Sequence, residues 1–192
     1  MKDAIVAAFD ESIRVKQAFL RDNLDILAKA IDAVVIAFKS GNKLLLFGNG
    51  GSAADAQHIA AEFVNRFRVE RPPLAAIALT TDSSALTSIA NDYDYSLVFA
   101  KQIQALGKPG DVAIAISTSG NSANVIAAVE VCQQLQIRTI GLTGGSGGRM
   151  TGKVDHLLNV GASNDTARIQ ESHILIGHVI CELVDAALYP AE

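Results

Sequence analysis

The sequence predicts a three-layer, doubly wound α/β fold built on a parallel sheet. Three observations carry that expectation. Five short, near-continuous apolar runs recur along 192 residues. Stretches with helical apolar periodicity fill the spaces between them. Two of the runs break into Gly- or Ser-rich turns that open straight into helices. Runs that are apolar at almost every position belong to strands buried on both faces, and strands that alternate with helices make a parallel sheet.

The elements follow in order. Residues 3–39 have apolar side chains at three- and four-residue spacing with charges between, and read as two helices. "SGN" at 40–42 breaks the pattern, and "KLLLFG" is the first strand. Residues 52–67 read as helix, and "RPP" at 71–73 stops it before a second strand, 74–79. Residues 82–91 form a short helix with Asp82 or Ser83 as its cap. Residues 95–106 read as one further helix, ended by "GKPG". A strand at 111–117, a helix at 121–136 and a strand at 138–144 come next. "GGSGGRM" is loop, 154–161 is the last strand, and 165–188 is a long closing helix. No repeat or linker interrupts this pattern, so residues 1–192 read as one domain, with the N-terminal helical region, about 1–40, contributing to oligomer contacts.

Composition limits the function. Hydrophobic residues make up 49% and charged residues 19%, and the net charge is −4. So apolar a chain is expected to bury further surface in an oligomer. No basic block suggests direct contact with nucleic acid. No apolar run reaches the roughly 20 residues of a membrane span. The first twenty residues carry acids early in an amphipathic pattern, which is not a signal-peptide layout. Cys132 and Cys181 lack metal-ligand spacing and read as buried, reduced thiols. The cytoplasm is the expected compartment.

The strongest chemical signal is "AISTSGNSANV", 115–125. An apolar strand ends at Ser117, and Ser117, Thr118, Ser119 and Ser122 crowd around Gly120 before a helix starts. Hydroxyls and unpaired amides at a helix N-terminus suit a phosphate. No lysine lies in the loop and no GxxxxGK[ST] pattern occurs, so a phosphorylated small molecule fits better than a nucleotide. An ordinary Ser/Thr turn is the plainer reading. "GNGGS" at 48–52 has the same strand-turn-helix grammar. Its glycines let backbone approach a ligand, and Asn49 offers both a donor and an acceptor.

His58 and Glu62 stand four residues apart on the helix that follows, so they share a face. Alone, such a pair is a surface hydrogen bond. Gln170 and His178 share one stripe of the closing helix, whereas His173 points elsewhere and reads as packed. His156 reads as structural. Two imidazoles, a carboxylate and an amide make an N/O donor set for a borderline metal such as zinc, although glutamine is an unusual zinc ligand. Asn91 and Asp92 read as the end of a helix.

"GNGGSAADAQHIAAE", "SIANDY", "AISTSGNSANV", "LTGGSGG" and "ARIQESH…H" together resemble the sugar isomerase (SIS) domain, and within it the phosphoheptose isomerase family, over essentially the whole chain. The resemblance implies a flavodoxin-like, five-stranded parallel sheet and a homotetramer with its sites at subunit interfaces. It implies aldose–ketose isomerisation of sedoheptulose 7-phosphate to D-glycero-D-manno-heptose 7-phosphate, a step toward the heptose of lipopolysaccharide, through an enediol. It implies one zinc ion per subunit on His58, Glu62, Gln170 and His178. Substrate contacts carry over to Asn49, Gly50, Gly51, Ser52, Glu62, Asn91, Asp92, Ser117, Thr118, Ser119, Ser122 and Gln170. Glu62 and His178 become the candidate base and acid. A second branch, the non-catalytic DnaA initiator-associating proteins, resembles this chain in the hydroxyl loop, the "ARIQE" segment, the "FDESI" start and the "CELVDAALYP" tail. That branch lacks the acid at Glu62 and the imidazole at His178, so their presence favours the isomerase.

Overall fold

A computed structural model describes residues 1–190. Its elements are α1 (Lys2–Lys39), β1 (Leu44–Gly48), α2 (Gly51–Val64), β2 (Ala76–Ala78), α3 (Ser83–Asp92), α4 (Val98–Leu106), β3 (Val112–Ile116), α5 (Ala123–Gln134), β4 (Arg138–Gly144), β5 (His156–Val160) and α6 (Thr166–Leu188). The five strands form one sheet in the order β2-β1-β3-β4-β5, and every pair is parallel. The expected doubly wound fold is present, with a strand-order reversal at β1 and β3.

Strand periodicity sorts the core into two layers. In β1, Leu44 and Leu46 pack toward α1, α2 and α6, while Leu45 and Phe47 pack toward α4 and α5. Val112, Ile114 and Ile116 of β3 join the first layer, and Ala113 and Ala115 join the second. All ten positions of these two strands are buried. No described helix is long and apolar enough to cross a membrane.

Among the departures from expectation, three matter most. The first 39 residues hold one helix of 38 residues, not two. No Gly or Pro occurs between residues 2 and 39 to break the hydrogen-bond ladder. Its buried Asn23 is also satisfied from outside: Nδ2 donates to the Phe19 and Asn159 carbonyls at 3.0 and 3.3 Å, and Oδ1 accepts from the Asn159 amide at 3.3 Å. The segment 95–106 is a 3₁₀ turn at Tyr95–Leu97 followed by α4. Asp94 caps that turn by accepting from the Ser96 amide at 2.7 Å. Helix α2 ends at Val64, three residues early, where the chain leaves toward Arg71.

Candidate active site

Two strand ends build the site. Gly48 ends β1 and the chain turns through Asn49 and Gly50 into α2. Ile116 ends β3 and the chain turns through Ser117–Ser122 into α5. These strands meet where the sheet order reverses, the place where open α/β sheets leave a crevice at their carboxyl ends.

A cavity of about 310 Å³ lies between the two loops. One wall is Asn49, Gly50, Gly51 and Ser52, and the other is Ser117, Thr118 and Ser122, with Thr166 and Gln170 reaching in from α6. No Lys or Arg lines it, so an anion here would be met by amides, hydroxyls and the α2 and α5 N-termini. The Ser122 hydroxyl is not spent on capping α5. It pairs instead with the Ser117 hydroxyl at 3.0 Å. Asn49 is fixed by Asn124, each amide donating to the other's carbonyl oxygen at 2.8–2.9 Å. The Tyr95 hydroxyl adds a donation to Asn49 Oδ1 at 3.2 Å.

Two glycines hold this shape. A Cβ on Gly51 would lie 2.5 Å from Gln170 Nε2, so the close approach of the two needs a glycine. Gly120 has φ +65°, and a Cβ there would lie 2.0 Å from the Gly147 carbonyl oxygen, where the 144–148 loop crosses the hydroxyl loop. Ser119 faces the other way. It lines an adjoining polar cavity of about 260 Å³ with Ser146 and Asn164, and its hydroxyl accepts from the Asn121 amide at 3.2 Å. Asn91 and Asp92 lie in the last turn of α3, exposed and bonded to each other at 2.9 Å, and do not line the cavity.

The second feature lies further along α2. His58 Nε2 is 3.1 Å from Glu62 Oε1 and 3.4 Å from His178 Nε2 of α6. The donor atoms of all three residues fall within 4.8 Å of one another. Ligands at about 2.0–2.1 Å from a tetrahedral zinc stand about 3.3–3.4 Å apart, so this spacing fits a cation of that kind. Phe67 stacks on the His178 ring at 5.4 Å and 21°, and His58 meets that ring edge-on at 5.1 Å. Asp55, one turn before His58, has a buried oxygen with no protein partner. Burial raises its carboxyl above the usual range, against the opposing pull of His58 and His178.

Gln170, the fourth expected ligand, reaches into the cavity from the same helix as His178. It stands eight residues before His178, about 12 Å along the α6 axis, with its amide against Gly51. Tyr95, Asn124 and Asp55 were missed by sequence reasoning, because a side chain that positions another carries no motif of its own. His173 is packed, as expected: it is buried, and its Nε2 bonds to the Thr143 carbonyl at 3.0 Å. Cys132 and Cys181 are free and buried.

The SIS domain family model matches residues 9–144. A phosphoheptose isomerase of Thermodesulfovibrio yellowstonii is 52% identical over 98% of this chain and 94% of its own. Phosphoheptose isomerase 2 of Campylobacter jejuni is 57% identical over 94% of this chain and 90% of its own. Among solved structures, phosphoheptose isomerase GmhA from Neisseria gonorrhoeae superposes with a TM-score of 0.90 at 46% identity, covering 96% of this chain and 98% of that one. A phosphoheptose isomerase from Francisella tularensis gives 0.91 at 41%, covering 95% and 97%. All four bear the name of an isomerase, and the initiator-associating alternative finds no support among them.

Proposed function

The chain belongs to the SIS-domain family, in its phosphoheptose isomerase branch, and from that premise we propose how its residues carry out the isomerisation of sedoheptulose 7-phosphate to D-glycero-D-manno-heptose 7-phosphate. The reading rests above all on the cation-free cradle at the two strand ends, which offers hydroxyls and amides to a phosphate.

Ser117, Thr118 and Ser122 hold the phosphate at the α5 N-terminus, with Asn49, Gly50, Gly51 and Ser52 as the facing wall. Binding energy from this remote group positions C1 and C2 of the open-chain sugar. Glu62 removes the proton from C1, the carbon beside the ketose carbonyl. The C–H electron pair becomes the C1=C2 bond, and the carbonyl oxygen takes a proton from His178. Return of a proton to C2 and loss of one from the C1 hydroxyl complete the aldose. Ser119, Asn91 and Asp92 remain proposed substrate contacts, although on a single chain they lie off the cradle.

His58, Glu62 and His178 would hold a zinc ion, which would supply Lewis-acid polarisation of the carbonyl. Two imidazoles and a carboxylate are the kind of donor set that catalytic zinc sites use, and Gln170 is the proposed fourth ligand. Gly51, against which the Gln170 amide lies, precedes His58 by seven residues, a backbone rise of about 10 Å along α2. A homotetramer with its sites between subunits would complete this site with residues of a second copy. Exposed Ile5, Val6, Phe9 and Ile13 on α1 favour such an assembly. The buried free thiols favour a reducing, cytoplasmic setting.

Isomerisation in D₂O, followed by proton NMR of the product, tests the proton-transfer route. Deuterium at C2 of the aldose is the expected result. A product that retains hydrogen there after prolonged reversible turnover would contradict the exchange with solvent that this acid–base route predicts.

A further inference from the structure

The end of α2 is closed in an unusual way, and Arg71 closes it. Helix α2 finishes without a glycine and with no basic residue in its last turn, so its final carbonyls need donors from elsewhere. The Arg71 guanidinium, buried among them, supplies these. Nη2 donates to the carbonyl of Glu62 at 2.9 Å. Nη1 donates to Phe63 at 2.7 Å and reaches the carbonyls of Asn65 and Pro72 at 3.2 Å. Nε donates to Asp185 Oδ1 on α6 at 2.9 Å. The side chains of this ion pair are 1% and 4% exposed.

The partners are as telling as the burial. Arg71 holds the peptide of Glu62 itself. Asp185 lies seven residues, two turns, after His178, on the same face of α6. One side chain thus ties the helix of His58 and Glu62 to the helix of His178. Beside the group, a Cβ on Gly177 would lie 2.5 Å from Ile59 Cδ1, so α2 and α6 pack closely there too. A buried ion pair is a poor way to gain stability, since apolar side chains of similar volume serve a core as well or better. It does fix geometry, through the planar fork of arginine.

We propose that Arg71, through Asp185, is a positioning residue that sets the spacing of His58 and Glu62 against His178, and so the fit of the bound cation. The inference rests on the reading of these three side chains as metal ligands. Lysine would keep the charge but lose the fork. The double substitution Arg71→Met with Asp185→Leu would fill the space without the tie.

The test is Co²⁺ titration of metal-free protein, read by visible absorption, with steady-state kinetics alongside. Arg71→Lys and the double variant are expected to keep the wild-type far-UV circular dichroism. Both should bind Co²⁺ about 10–100-fold more weakly, with an altered ligand-field band and a fall in kcat larger than any rise in KM. Wild-type affinity and an unchanged band in either folded variant would overturn the proposal. Failure of both variants to fold would also overturn it, since the tie would then serve stability alone. If the wild-type protein itself bound no Co²⁺, the metal reading would fall and this inference with it.

Discussion

His173 shows what the fold does to a histidine that it packs away. It lies five residues before His178 on the same helix, yet its ring is buried and its Nδ1 has no partner. Nε2 therefore carries the hydrogen and donates it to the Thr143 carbonyl. Burial pushes its pKa down to about 4. The unfolded chain takes up that proton near the ordinary pKa of about 6.5. Stability from this group is thus full above pH 6.5, falls as the pH drops, and levels off below pH 4. The expected loss between pH 7 and pH 5 is on the order of 2 kcal/mol. Urea unfolding at the two pH values measures it, and His173→Gln should flatten the difference. An equal slope in that variant would contradict the assignment. The two histidines were separable in the sequence, because only His178 shares the stripe of Gln170. Arg71 gave no signal, since a carbonyl-capping arginine seven residues past a helix end looks like any loop arginine.

Among the elements, the strands were the most legible. Arg138–Gly144 forms over the very residues expected, because a turn and a glycine-rich loop bracket an apolar run. The first helix, expected as two, runs unbroken, and no Gly or Pro interrupts its ladder. That helix is also the element with most left to cover. Its buried residues begin at Val15, and upstream Phe9 is 69% exposed and Ile13 52%. Exposed apolar side chains contiguous along one helix mark an interface. Phe9→Asp together with Ile13→Asp should therefore lower the mass seen by light scattering. Turnover should fall in parallel while far-UV circular dichroism is retained, because the proposed site needs two copies. An unchanged mass, or full turnover by a monomer, would contradict the shared site.

At the scale of the whole molecule, the site follows from strand order. Sequence pattern identified five strands and two strand-to-helix loops with the composition of a phosphate cradle. It could not say that the strands of those loops are neighbours, which is a matter of long-range pairing. The order β2-β1-β3-β4-β5 supplies that, and it brings two loops nearly seventy residues apart into one cavity. The same sheet sends α2 and α6 side by side, so a bland His–Glu pair on a helix face meets a second histidine from 120 residues away. That convergence is the centre of the account, and Glu62 is its proposed base. The most direct measurement is turnover of sedoheptulose 7-phosphate by Glu62→Gln, with metal content and thermal unfolding recorded on the same samples. A folded variant with kcat reduced about 10²–10⁴-fold is the predicted result. Wild-type kcat in that variant would contradict the account.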